Sequence, residues 1–263
     1  MEHYDWNDGW LFFPTFDPAL VRPECTGLEL EPVRIPHTVK ALPYNYCNEN
    51  DHQRLCGYRR EFFAPAEWAG RTVLLTFGAI AHDATVFCNG RRLFHHGCGY
   101  TAFTVDIAKF LHDGENEIRV EVDATCQPAS RWYTGAGIYR EVELLTSGAD
   151  RLEPWATSVR TLGIFGDSAQ IEISTEIASS RRQIGKIEFS IPELGFSMVR
   201  SVQLETGKNS FSAKTMLKEV KLWSVDSPNV YTCTARLMTD VGDDSESVSF
   251  GVRTVACDPE RGL

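Results

Sequence analysis

The chain has 263 residues, 43% of them hydrophobic and 24% charged, with a formal net charge of −10. That length suits one large or two ordinary domains, and the apolar share is enough for packed cores, which excludes a disordered chain. Neither half of the sequence is basic, which argues against nucleic acid and against anionic membrane lipid as partners.

The chain opens Met1-Glu2-His3-Tyr4-Asp5, acidic and polar, without the features of a signal peptide, so the expected location is cytoplasmic. No apolar run reaches the roughly 18 residues of a membrane-spanning helix. The eight cysteines form no C-x-x-C pair and are expected as reduced thiols, with Cys88 and Cys233 in strand cores. Residues 1–57 are rich in Pro, Asn and aromatics and read as irregular. Trp6-Asn7-Asp8-Gly9-Trp10 reads as a turn. Ile35-Pro36-His37-Thr38 starts an extended piece, because the residue before proline avoids the helical region. Asn45 to Asp51 is a polar loop of the kind that carries function on a β scaffold.

From Tyr58 the strand signals are plain. They cover Tyr58–Phe63 and Arg71–Phe77, then a hairpin of Ala84–Cys88 and Arg91–Phe94 closed by Asn89-Gly90. Tyr100–Ile107, a helical turn at Ala108–Leu111, and Glu117–Val122 follow. Strand, turn, strand at this spacing predicts a sandwich or jelly roll over 1–148.

The stretch Arg131 to Val142 combines flat amphipathic rings (Trp132, Tyr133, Tyr139), forked donors (Arg131, Arg140) and two glycines, Gly135 and Gly137. It suits a sugar face, and equally a tight junction with another domain. It runs into a strand from Tyr139 to Leu145. A boundary is expected near Ser147-Gly148-Ala149-Asp150. Seven strands then fall between Thr157 and Val255, the pattern of an immunoglobulin-like sandwich over 149–256. Residues 257–263 read as a linker.

Several blocks, in order, resemble the N-terminal half of glycoside hydrolase family 2, the β-galactosidase, β-glucuronidase and β-mannosidase group. They are Asn7-Asp8-Gly9-Trp10, Pro36-His37, Trp68-Ala69-Gly70-Arg71, Phe87-Cys88-Asn89-Gly90, Gly99 to Phe103, Asp113-Gly114-Glu115-Asn116, the 131–142 stretch, Leu222-Trp223-Ser224 and Phe250-Gly251-Val252-Arg253. The resemblance implies an all-β chain: a galactose-binding-like jelly-roll sandwich, then an immunoglobulin-like sandwich. In the family a (β/α)8 barrel follows and holds both catalytic carboxylates of a retaining mechanism. No residue here is nominated as catalytic, so the chain is expected to be the non-catalytic part of a β-galactosidase-like enzyme. Its expected partners are that barrel in cis and, weakly or only with the barrel, carbohydrate. The parent is expected to be a homo-oligomer. The rival reading is an autonomous carbohydrate-binding or adhesive module.

Substrate-rim or barrel-contact candidates are Asn45 and Asn48, whose amides both donate and accept, and Arg131, Trp132 and Tyr133. Well-known β-galactosidases and β-glucuronidases of the family carry an Asp six residues before the glycine that matches Gly137. Arg131 stands there in this chain, and an arginine accepts no hydrogen bond from a sugar hydroxyl. His82, His95, His96 and Cys98 fit no standard metal spacing, and no phosphate loop, dinucleotide fingerprint or nucleophile elbow occurs. No metal or cofactor is expected. The acidic pairs Asp243-Asp244 and Glu115/Glu117 are expected as solvated charge.

Overall fold

The structure, a computed structural model, describes residues 1–15, 30–41, 48–126, 135–260 and 262. It separates into two compact units, Glu2–Thr146 and Ser147–Leu263, with Met1 grouped with the second. Among the described residues every regular element is a strand or a single 3-10 turn. No helix among them is long and apolar enough to cross a membrane.

The first unit holds β1 (Glu2–Asp5), β2 (Trp10–Phe13), β3 (Glu31–Val33), β4 (Leu55–Ala64), β5 (Thr72–Phe77), β6 (Asp83–Cys88), β7 (Arg91–His96), β8 (Phe103–Asp106), β9 (Gly114–Asp123) and β10 (Val142–Ser147). They form two antiparallel sheets, of order β1-β10-β5-β8 and β3-β2-β4-β9-β6-β7. Alternation puts Ile118, Val120 and Val122 of β9 into the core with Val73 and Leu75 of β5 and Leu144 of β10. Burying apolar side chains of this size stabilises by about 1.5–3 kcal/mol each, so this core carries the unit. In the β6–β7 hairpin both Asn89 (φ 49°) and Gly90 (φ 76°) take positive φ, as the Asn-Gly pair predicts.

The first 57 residues depart from the expectation of irregular chain, since they hold β1, β2 and β3. The β1 side chains are all exposed, so no alternation marks it. Its backbone is held by non-local pairing, Glu2 with Thr146 and Tyr4 with Leu144. The strand expected from Tyr139 begins at Val142, and that expected over Tyr100–Ile107 is confined to Phe103–Asp106.

The second unit holds β11 (Arg151–Leu152), β12 (Ser158–Phe165), β13 (Ser168–Ser179), β14 (Gln183–Ile191), β15 (Phe196–Leu204), β16 (Gly207–Leu217), β17 (Tyr231–Thr239) and β18 (Gly242–Phe250). One sheet runs β11-β13-β12 with β16 on β13, the other β15-β14-β17-β18. Ile171 and Ile173 of β13, Phe189 of β14 and Cys233 and Leu237 of β17 fill the space between them. The blocks Leu222-Trp223-Ser224 and Phe250 to Arg253 form one feature. Trp223 N–H donates to the Val252 carbonyl at 2.9 Å, and the Arg253 guanidinium lies 4.4 Å from the Trp223 ring centre. A β-carbon at Gly251 would sit 2.9 Å from the Trp223 side chain, so any other residue there displaces the indole.

Cys88 and Cys233 are buried free thiols, and burial pushes them up, to about 12 for Cys88 and about 11 for Cys233. Two acidic residues correct the expectation of solvated charge. Asp244 is 4% exposed and accepts the Leu152 N–H at 2.9 Å. The Glu117 side chain, 14% exposed, lies 2.5 Å from both Arg59 Nε and Arg119 Nε. Both sit where a strand turns its polar face under neighbouring backbone or arginines, and such groups must be paired to be buried at all.

Candidate functional site

Four of the sequence candidates, Asn45, Arg131, Trp132 and Tyr133, lie outside the described residues. The described flanks of their two stretches converge on one platform in the first unit. Its centre is Gly137. The backbones of Gly137 and Ala81 exchange hydrogen bonds, at 2.9 and 3.0 Å. On the other side His37 N–H donates to the Ile138 carbonyl at 2.8 Å and Val39 N–H to the Ala136 carbonyl at 2.9 Å. Segments 36–39, 80–82 and 135–138 therefore form a short, irregular layer beyond the regular sheets. The Ala81–His82 peptide within it is cis.

Gly137 has φ 120°, a region open to glycine and costly for other residues. A β-carbon there would overlap the Tyr58 hydroxyl and stand 2.9 Å from the His37 carbonyl oxygen. Tyr58 is fully buried on β4, with its hydroxyl 2.8 Å from His37 Nδ1 and 3.4 Å from the Ile138 N–H. The hydroxyl oxygen has room for the Ile138 N–H whether the phenol donates to a bare Nδ1 or accepts from a protonated one. Burial holds His37 below its ordinary pKa, with Glu31 opposing, and keeps the imidazole neutral near pH 7. Burial also raises the Tyr58 phenol well above its usual range.

His82 closes the other side. Its Nε2 is 3.3 Å from the Gly135 carbonyl, the last described position beside Arg131 to Thr134. Burial lowers its pKa first; the Gly135 carbonyl raises it, His52 lowers it and Asp123 raises it. His52, nearly fully buried, anchors the second loop where the Arg54 N–H donates to its carbonyl at 2.9 Å. Asn48 is exposed and caps a turn: its Oδ1 accepts the Asn50 N–H at 3.1 Å and its carbonyl the Asp51 N–H at 2.9 Å. Lys40 pairs with Asp51 at 2.8 Å across the same loop.

His95 pairs with Asp83 at 2.5 Å and His96 with Thr101 at 2.9 Å, so these two imidazoles are engaged with protein partners. Among the described residues no group of three or more His, Cys, Asp or Glu is placed to hold a metal ion.

Two of the platform's rings, Tyr58 and His82, meet the backbone of segment 135–138, and His37 meets Tyr58. Its chemistry is positional: it ties segments 36–39, 80–82 and 135–138 to one another. Gly137 was visible in the sequence as a special glycine. His37 stood in a quoted motif without a role, and His52 had no sequence signal. Tyr58 was visible only as a strand start.

Two family models match the chain in succession. The model described as "Glycosyl hydrolases family 2, sugar binding domain" covers residues 33–148, and "Glycosyl hydrolases family 2" covers residues 158–253. The chain belongs to glycoside hydrolase family 2. It is 27% identical to a β-galactosidase of Bacteroides ovatus over 100% of this chain and 33% of that protein. It is 25% identical to a β-glucuronidase of Bacteroides fragilis over 88% of this chain and 36% of that one. A solved family 2 member from Bacteroides cellulosilyticus superposes with a TM-score of 0.87 at 25% identity, covering 100% of this chain and 38% of that structure. The chain thus corresponds to between 33% and 38% of the length of these three relatives. The all-β fold expected from the resemblance is the fold observed.

Proposed function

We propose that this chain is the non-catalytic N-terminal part of a retaining family 2 glycosidase that hydrolyses O-glycosidic bonds, with β-galactosidase-like specificity. Its two domains, 1–148 and 149–256, brace a catalytic barrel reached through the linker 257–263. The loops around Asn45 and Arg131 shape the rim of that barrel's active site. The observation that carries this reading is the platform at Gly137. Three separate segments are bonded to one another around the buried Tyr58 and the half-buried His37, a degree of preorganisation that a mere surface excursion does not need. The match of the whole chain to about a third of larger family members supplies the context.

In this reading Arg131, Trp132 and Tyr133 meet the barrel first and substrate second, since Arg131 cannot accept a sugar hydroxyl and can pair with a carboxylate. The test is a split readout of Trp132→Ala. In the complete enzyme, kcat/KM for an aryl β-galactoside falls about tenfold or more, the loss of roughly one well-placed contact. The thermal midpoint of the 263-residue chain stays within about 1 °C. An equal loss in both, or in the isolated chain alone, sinks the proposal.

A further inference from the structure

The first unit contains a cleft remote in sequence from both rim loops, and no role has been given to it. It opens where β4 ends, β5 begins and β8 ends, with a volume of ≈ 570 Å³. That lies within the roughly 300–1,000 Å³ of small-molecule sites. Two turns wall it, the 3-10 turns Ala66–Trp68 and Ala108–Phe110. The first is closed by Trp68 N–H to the Pro65 carbonyl at 3.0 Å and Arg71 N–H to the Trp68 carbonyl at 3.0 Å.

The lining has three parts. Small residues, Ala64, Ala66, Ala69, Gly70 and Ala108, keep the space open. Trp68 supplies a single aromatic wall, backed by Tyr4 and Phe62 with ring centres 6.2 and 6.4 Å away. The charged rim has two cations, Arg71 and Lys109, against two carboxylates, Asp106 and Asp113. Arg71 is partly neutralised by Glu2 at 3.2 Å, and Asp106 accepts the Ala108 N–H at 3.0 Å. A further observation is that the Trp68 indole N–H is buried and has no hydrogen-bond partner among the described residues. The cleft meets other atoms of Trp68, since a buried N–H is out of reach of a molecule seated there.

We infer that this cleft is a weak binding site for a neutral glycoside, seated against Trp68 and hydrogen-bonded by the Lys109 and Asp113 rim. A pyranose has an apolar C–H face and a ring of hydroxyls that both donate and accept. That matches one flat aromatic wall with mixed donors and acceptors. A balanced rim gives no net attraction for phosphate or a uronate, so the charge pattern selects the neutral sugar. This site is independent of the bracing role: it stands or falls on binding by the present chain, whatever happens to turnover in a larger enzyme.

The test is a nitrogen-15 NMR titration of the 263-residue chain with methyl β-galactopyranoside, with methyl β-glucuronide and inorganic phosphate as charged probes. The Trp68 indole N–H signal, identified by its loss in Trp68→Phe, moves together with the Lys109 and Asp113 amides. Half-saturation falls at about 1–10 mM, as suits a small ligand with few contacts. The two charged probes bind at least about tenfold more weakly. The Trp68→Phe chain loses the response of the two amides. If it fails to fold, the exposed Ala69→Tyr, which places a ring in the cleft, must do the same. Absence of shifts at about 100 mM sugar, unchanged binding in the variants, or tighter binding of phosphate overturns the inference.

Discussion

Replacing Gly137 by alanine tests whether the platform is as tightly built as its geometry implies. At φ 120° an alanine carries backbone strain of about 1–3 kcal/mol. Its β-carbon would also overlap the Tyr58 hydroxyl and crowd the His37 carbonyl at 2.9 Å, so one of them must move. Moving the phenol breaks its 2.8 Å bond to His37 and leaves a buried polar atom unpaired, a further cost of about 1–3 kcal/mol. The sum is about 2–6 kcal/mol, and partial relaxation brings the expected value to about 3 kcal/mol. Urea unfolding followed by tryptophan fluorescence reads this as a lower midpoint at constant slope. Gly135→Ala is the control. The nearest atom to an added β-carbon at Gly135 is Thr38 Oγ1 at 3.5 Å, an ordinary contact. It should cost under about 0.5 kcal/mol. A Gly137→Ala loss below about 0.5 kcal/mol, or the same loss for both glycines, would refute the reasoning.

Asn116 is 1% exposed, and its Nδ2 donates to the His112 and Gly114 carbonyls at 3.0 Å each while Oδ1 accepts from His112 N–H and Asn89 Nδ2 at 2.8 Å. Asn116→Asp swaps the donor for an acceptor facing two carbonyls and should cost about 3 kcal/mol by denaturant titration; a change under about 1 kcal/mol contradicts that count of bonds. Gly251→Val drives a side chain into Trp223 and should cost about 2 kcal/mol, with loss of near-ultraviolet ellipticity from the displaced indole; an unchanged spectrum would show that the indole is not fixed there. For His37 and His82 the folded pKa lies below the unfolded value near 6.5, so the unfolded chain binds more protons as pH falls through that value. Stability contributed by the neutral rings is present above that pH and declines below it. Thermal midpoints between about pH 7 and 5 should therefore fall less steeply in His37→Asn than in the natural chain, and a steeper fall in the variant excludes this assignment.

The parts of the fold written in local sequence were legible. Asn89-Gly90 states its own turn, and the alternation of Ile118, Val120 and Val122 states the inward face of β9. What depends on distant partners was not. β1 has four exposed side chains and exists because its backbone pairs with a strand more than 130 residues away. Asp244 and Glu117 carry visible charges, yet their burial follows from the neighbours that the fold brings, a Leu152 amide and two arginines. Gly137 was marked as special by its residue type alone. The reason, a tyrosine hydroxyl and a histidine carbonyl from two other segments, has no local signature. The rim candidates were chosen from residue chemistry. Of these the structure describes Asn48, whose side-chain oxygen is used to cap a turn.

The central claim is that the chain supports glycoside hydrolysis without performing it. The most direct measurement is turnover of aryl β-galactoside and aryl β-glucuronide by the purified 263-residue chain beside the product of the complete reading frame. The account predicts hydrolysis by the complete product, faster on the galactoside, and none above buffer by the chain alone. Turnover by the chain, abolished by substitution of one of its own carboxylates, would contradict it.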